Sequence, residues 1–287
     1  MKTEIKAGAA VFLLGAILTA TGFRYFLEEG AETRRNTLDE HVSAYTASIR
    51  AVAEKYESVL HSLATLFHYS ETVEREEFLA AARELVARYP SLAGLEWAPH
   101  VTRDERASFV AGMRRIHGPD YAIKNRNPDN TGFQPAEPAP FYYPVAWIEP
   151  LAPHRPALGF NLVGGRDTRW VEVALDTGRQ VVSSGGMLYV AGEPRDGFVV
   201  YQPIHHQEAK RDDEAPARGI VVGIFFLEEF LRLPAFEAGL AAFDIYVNPA
   251  GRPESAYLLH ANGGGAFRRY DGPPPDPADE LTRSVDI

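Results

Sequence analysis

Residues 38–66 read LDEHVSAYTASIRAVAEKYESVLHSLATL. Leu38, Val42, Tyr45, Ile49, Val52, Tyr56, Val59, Leu63 and Leu66 recur at alternating steps of four and three. An apolar seam of that period predicts a helix of coiled-coil type, roughly 43 Å long at helical rise. Period 3.5 kept over four heptads favours a second helix as its partner. The alternative is packing on the chain's own domain, above all at the end from Val59 to Phe67. With its flanks the seam defines a stalk helix over residues 28–70.

Upstream, residues 7–23 form an uncharged apolar and small-residue run, preceded by Lys2 and Lys6 and followed by Arg24, Tyr25 and Phe26. With interfacial residues at its far end, this stretch predicts a transmembrane anchor over 7–27. Residues 1–6 would be cytoplasmic and the bulk of the chain would lie outside the inner membrane, in the periplasm or extracellular space. A cleaved signal peptide is the rival, although no convincing small-residue cleavage site follows the run.

The 287 residues allow a stalk and one large or two small domains beyond it. The net charge is −10, and no Lys/Arg cluster is interleaved with aromatics, so nucleic acid is not an expected partner. The sequence holds no cysteine, which excludes disulfides, thiolate metal sites and a Cys nucleophile.

After the stalk, Phe78, Leu79, Ala82, Leu85, Val86 and Tyr89 share one face of a helix over 73–89. A strand is expected at 92–97. A capping box at Thr102-Arg103-Asp104-Glu105 opens the next helix, which ends at Gly118-Pro119. Residues 141–148 read as a strand, with Pro144 calling for a bulge or an edge. Residues 150–156 read as a turn, 167–177 as a short helix stopped by Gly178, and 180–183 as a strand. Further strands are expected at 198–204, 219–226, 243–247, 256–260 and 281–287, a helix at 227–233, and a polar loop at 205–217. These elements define an α+β fold with antiparallel sheets.

Chemistry is sparse. Gly164-Gly165 and Gly263–Gly265 lack the context of a phosphate loop, and Ser183-Ser184 lacks the G-x-S-x-G of a nucleophile elbow. His205-His206 would point apart at a strand end. Glu96, Glu149 and Asp176 lie in apolar surroundings without a legible partner. No catalytic residue, metal site or cofactor is expected.

An ordered set of segments goes further. Gly94-Leu95-Glu96-Trp97-Ala98-Pro99 precedes the capped helix; Tyr143-Pro144-Val145 leads to Ile148-Glu149-Pro150; Leu158-Gly159-Phe160-Asn161 precedes the short helix ending Ala174-Leu175-Asp176-Thr177-Gly178. Phe198-Val199-Val200-Tyr201-Gln202-Pro203-Ile204 and Gly219-Ile220-Val221-Val222-Gly223 close the series. From about Phe78 to Leu231 this set resembles the CHASE domain, the extracellular sensor of histidine kinases, nucleotide cyclases and diguanylate cyclases or phosphodiesterases. The resemblance implies two PAS-like lobes, a membrane-distal one over 71–193 and a membrane-proximal one over 194–287. It also implies a second membrane helix and a cytoplasmic output module, a kinase or cyclase, downstream.

The family's plant members bind a cytokinin through a Thr after the short helix and an Asp after the Tyr-Pro-Val strand. The first position matches Ser183. The second falls at Glu149-Pro150 with Pro150 the closer match, which argues against a purine cytokinin. The candidate ligand-binding residues carried by the resemblance are Trp97, Trp147, Glu149, Phe160, Ser183, Met187 and Leu188. The expected function is small-molecule sensing relayed through a homodimeric stalk, with the nine seam residues as the dimer contact. A membrane-tethered periplasmic enzyme and a ligand-free assembly module are the alternatives.

Overall fold

The computed structural model describes residues 2–70, 72–127, 132–164, 168–183, 186–190, 193–205, 216–237, 244–247, 256–260 and 266–270, with most side chains before residue 29 and several after 186 outside the description. Helix α1 (Lys2–Tyr69) runs 68 residues without a proline to stop it. The expected anchor at 7–27 and the stalk are thus one helix with no break between them. Most of the anchor's side chains lie outside the description. Among the described residues, no helix is long and apolar enough to cross a membrane.

At its C-terminal end α1 leaves carbonyls without intrahelical donors. The Arg218 guanidinium takes one of them and the carbonyl just past the helix end: Nη1 donates to the carbonyls of Phe67 at 3.0 Å and Ser70 at 2.8 Å. Helix α2 (Arg75–Arg88) starts on a reciprocal capping box between Glu74 and Glu77 and buries Phe78 and Ala82. Strand β1 (Leu92–Pro99) follows, then β2 (Val101–Thr102) and α3 (Arg106–His117). The expected box at Thr102 and Glu105 is present, each residue's side chain accepting the other's backbone N–H.

A hairpin of β3 (Lys124–Arg126) and β4 (Phe133–Pro135) comes next. The strand expected over 141–148 is split into β5 (Phe141–Tyr142) and β6 (Trp147–Glu149), because Pro144 interrupts the ladder and bridges to Asn161 instead. The turn expected at 150–156 is a short helix, α4 (Leu151–His154), and a 3-10 turn at Arg155–Ala157. Helix α5 (Arg169–Thr177) ends at Gly178, whose φ of +62° is the left-handed cap that glycine takes without strain.

Strands β7 (Val181–Val182), β8 (Gly186–Val190), β9 (Glu193–Ile204) and β10 (Gly219–Phe226) complete a six-stranded antiparallel sheet, in the order β6-β1-β10-β9-β7 with β8 also on β9. The lobe boundary expected at 193/194 is therefore not a boundary. Strands β9 and β10 are central to the first sheet, since β10 pairs with β1 across its whole length. After α6 (Leu227–Glu237) a separate three-stranded antiparallel sheet holds β11 (Asp244–Val247), β12 (Ala256–His260) and β13 (Ala266–Tyr270). The strand expected at 281–287 lies outside the described residues.

The seam of α1 does not wait for a second chain over most of its length. Tyr45 and Ile49 pack with Leu227 and Leu231 of α6. Tyr56, Val59, Leu60, Leu63 and Phe67 pack on the six-stranded sheet, with Val52 and Leu66 half-buried beside them. Leu38 is buried and Val42 half-buried. The seam expected to meet a partner helix thus meets its own domain from Tyr45 onward. Periods of 3.5 and 3.6 diverge by about 20° per heptad, and a broad sheet accommodates that drift where a single partner helix would not.

Candidate functional site

Alternation along the strands sorts the sheet into two faces. Leu95 and Trp97 of β1, Val221 and Phe225 of β10 and Val200 and Ile204 of β9 meet α1 and α2. Ala98, Ile148, Ile220 and Val222 point the other way, into a second cluster with Tyr121, Tyr143, Val145 and Val171. The two clusters are separate cores on opposite sides of one sheet.

The candidate residues divide between these faces. Trp97 stacks on Phe67 of α1 with ring centroids 4.0 Å apart and is core. Trp147, its register partner on β6, leans on Phe78 of α2 at 5.8 Å. Glu149 lies on the same side. Arg83 of α2 donates to both its carboxylate oxygens, each at 3.3 Å, in a forked pair. Residues 66 positions apart make that pair, so no local signal announced it.

Ser183 and Phe160 belong to the other face. Ser183 ends β7 against Val199. Its N–H donates to the Val199 carbonyl at 2.8 Å, and its hydroxyl oxygen accepts the Val199 N–H at 2.9 Å. The hydroxyl proton and a second lone pair remain for another partner. Phe160 sits against Phe133 and under the Arg126 guanidinium, at the β3–β4 hairpin. Leu188 lies apart over Gly197 in the β8–β9 hairpin, where a Cβ at residue 197 would come within 2.6 Å of it. The Met187 side chain is outside the described residues.

One group on the outer face was not among the candidates. Register puts Ile148, Glu96, Val222, Tyr201 and Val181 in a single row across β6, β1, β10, β9 and β7. Glu96 is thus a lone carboxyl in the middle of an apolar face and is 4 % exposed. Burial pushes its pKa up to about 8, so at neutral pH it is protonated and offers an O–H. Its signal in the sequence was an acidic residue inside the apolar strand 92–97. Among the described residues, no three His, Cys, Asp or Glu side chains gather to hold a metal ion.

The CHASE domain family model matches residues 71–258, from the start of α2's approach to the middle of β12. The chain belongs to the CHASE domain family. It carries an extracellular sensor domain, with α1 lying outside the matched region. No curated protein sequence matches it. Among solved structures, the CHASE chain is similar to the ligand-binding domain of the Pseudomonas aeruginosa PAO1 amino acid chemoreceptor PctC in complex with GABA, at 12% identity and a TM-score of 0.44, covering 77% of this chain and 74% of that one. The periplasmic sensory domain of the Campylobacter jejuni chemoreceptor Tlp1 gives 9% identity and a TM-score of 0.40, over 69% of this chain and 61% of that one.

Proposed function

We propose that this CHASE domain is the extracytoplasmic sensing part of a transmembrane receptor. It takes a small molecule against the outer face of its six-stranded sheet and reports it through α1. Residues 7–27 anchor the receptor in the inner membrane, and an output module on the cytoplasmic side receives the signal. The observation that supports this reading is the shared sheet. Strands that present Glu96 and the Ser183 neighbourhood on one face carry Leu60, Leu63 and Phe67 of α1 on the other. A ligand that favours one arrangement of those strands therefore also favours one seating of α1, and its effect is limited by its differential affinity for the two.

The ligand has apolar walls from the outer cluster, an O–H from Glu96 and a hydroxyl from Ser183 to choose its orientation. A ligand that binds only the folded state raises the melting temperature by mass action. A thermal-shift screen of small metabolites against the chain is expected to give hits. Ser183→Ala should weaken a hit by about 1 kcal/mol, and Ser183→Trp should remove it by filling the space. Hits that survive Ser183→Trp unchanged would place the pocket elsewhere.

The receptor works as a homodimer, its α1 helices pairing along the surfaces that their own domains leave open. Sedimentation of the chain in nanodiscs or detergent should give two copies per particle. A single copy at high protein concentration would rule the pairing out.

A further inference from the structure

A cleft of about 210 Å³ opens at the β6 edge of the sheet, between α2, the end of α3 and the strand. Arg75 and Arg83 enter from α2, His117 from the end of α3, and Trp147 and Glu149 from β6. Leu79 and Leu151 supply apolar wall.

The polar groups are unevenly matched. Glu149 is taken by the Arg83 fork. The Nη1 of Arg75 donates to Glu76 at 3.0 Å, on the solvent side. The His117 ring gives its Nε2 proton to the Ala146 carbonyl at 2.9 Å, and the His117 carbonyl accepts from Arg155 at 3.3 Å. Burial holds the His117 pKa below its usual value and the nearby Arg75 and Arg155 charges lower it further, so the ring is neutral. Among the lining side chains two guanidiniums, Arg75 and Arg83, face one carboxylate, Glu149, which leaves a positive charge over. Two buried donors, Nε of Arg75 and the indole Nε1 of Trp147, find no acceptor among the described residues. A buried donor without an acceptor is costly, and a ligand that brings only acceptors relieves it.

We propose that this cleft is a second ligand site, specific for a small organic carboxylate with a flat or short apolar body. A carboxylate supplies acceptors for the two unmatched N–H donors, its negative charge suits the excess positive one, and its body has Leu79 and Leu151 to rest on. A cation is excluded because the cleft's one carboxylate is already engaged twice. The site reaches α1 by ring contacts: Trp147 leans on Phe78, and Phe78 meets Phe67 edge-on at 6.0 Å.

The test uses 4-fluorobenzoate as probe, followed by fluorine NMR with the full chain in nanodiscs and empty nanodiscs as blank. Saturable binding is expected, with 4-fluorobenzamide, the same shape without charge, binding at least tenfold more weakly. Arg75→Gln should weaken benzoate about tenfold, as loss of a charged hydrogen bond does. Trp147→Phe, which keeps an aromatic ring against Phe78 and removes the indole N–H, should weaken it severalfold. Ser183→Trp should leave it unchanged, which separates this site from the outer face. Equal binding of benzoate and benzamide, an unaltered affinity in Arg75→Gln with a wild-type melting temperature, or no saturable binding at millimolar probe would each overturn the proposal. If Arg75→Gln lowers the melting temperature, Trp147→Phe carries the decision alone, and an unchanged affinity there has the same meaning.

Discussion

Replacing Phe67 by alanine is expected to cost the domain about 3–5 kcal/mol, the usual loss for a large aromatic removed from a packed core. Phe67 is 1 % exposed, stacks on Trp97 and touches Phe78, so both the sheet and α2 lose a contact. The expectation tests whether α1 is a structural part of the sensor or a tether that merely lies against it. Urea unfolding of Phe67→Ala beside Glu54→Ala, an exposed position on the same helix, distinguishes the two. A change of under 1 kcal/mol at Phe67, close to that of the exposed control, would mean that the sheet is stable without the helix. In that case the relay through α1 fails with it.

The second large effect is a pH dependence carried by one residue. Glu96 has a folded pKa of about 8 against an ordinary 4.5, with burial as the cause. Between those values the unfolded chain releases the proton while the folded chain keeps it. The folded state then binds more protons, so stability falls as pH rises through this window and levels off above it. Glu96→Gln keeps the volume and removes the ionisation. It should match the wild type near pH 4 and exceed it by as much as a few kcal/mol above pH 8. Chemical unfolding of both proteins at pH 4, 6 and 8 measures the divergence. Parallel stability curves over that range would show that the Glu96 carboxyl does not keep its proton.

The elements that were legible in the sequence owe their form to local chemistry. The helix ends at Pro90 and Gly178, the box at Thr102 and Glu105, and the apolar runs of β1, β9 and β10 are all decided by neighbours in the chain. Two things were not local. The boundary at 194 failed because β10 pairs with β1 across more than a hundred residues, and no turn or spacing signals that pairing. The candidate ligand set mixed two faces because alternation tells which residues of one strand share a side, not which side meets the helices. Trp97 and Ser183 were thus grouped although a sheet lies between them. The Arg83–Glu149 pair depends on a partner equally distant in the chain, as does the destination of the α1 seam.

The Arg218 side chain gives the long helix a fulcrum. It clamps the C-terminal end of α1 to the first residue of the loop-to-strand passage into β10, and packing holds the helix back to Tyr45. Residues 2–37, beyond the buried Leu38, project from that hold by about 54 Å at helical rise, so one degree of tilt in the held part swings the far end by about 1 Å. A shift at the sheet too small to repack its core is thereby geared up at the other end of the rod. Such a lever needs stiffness more than stroke, and an uninterrupted helix without proline supplies it.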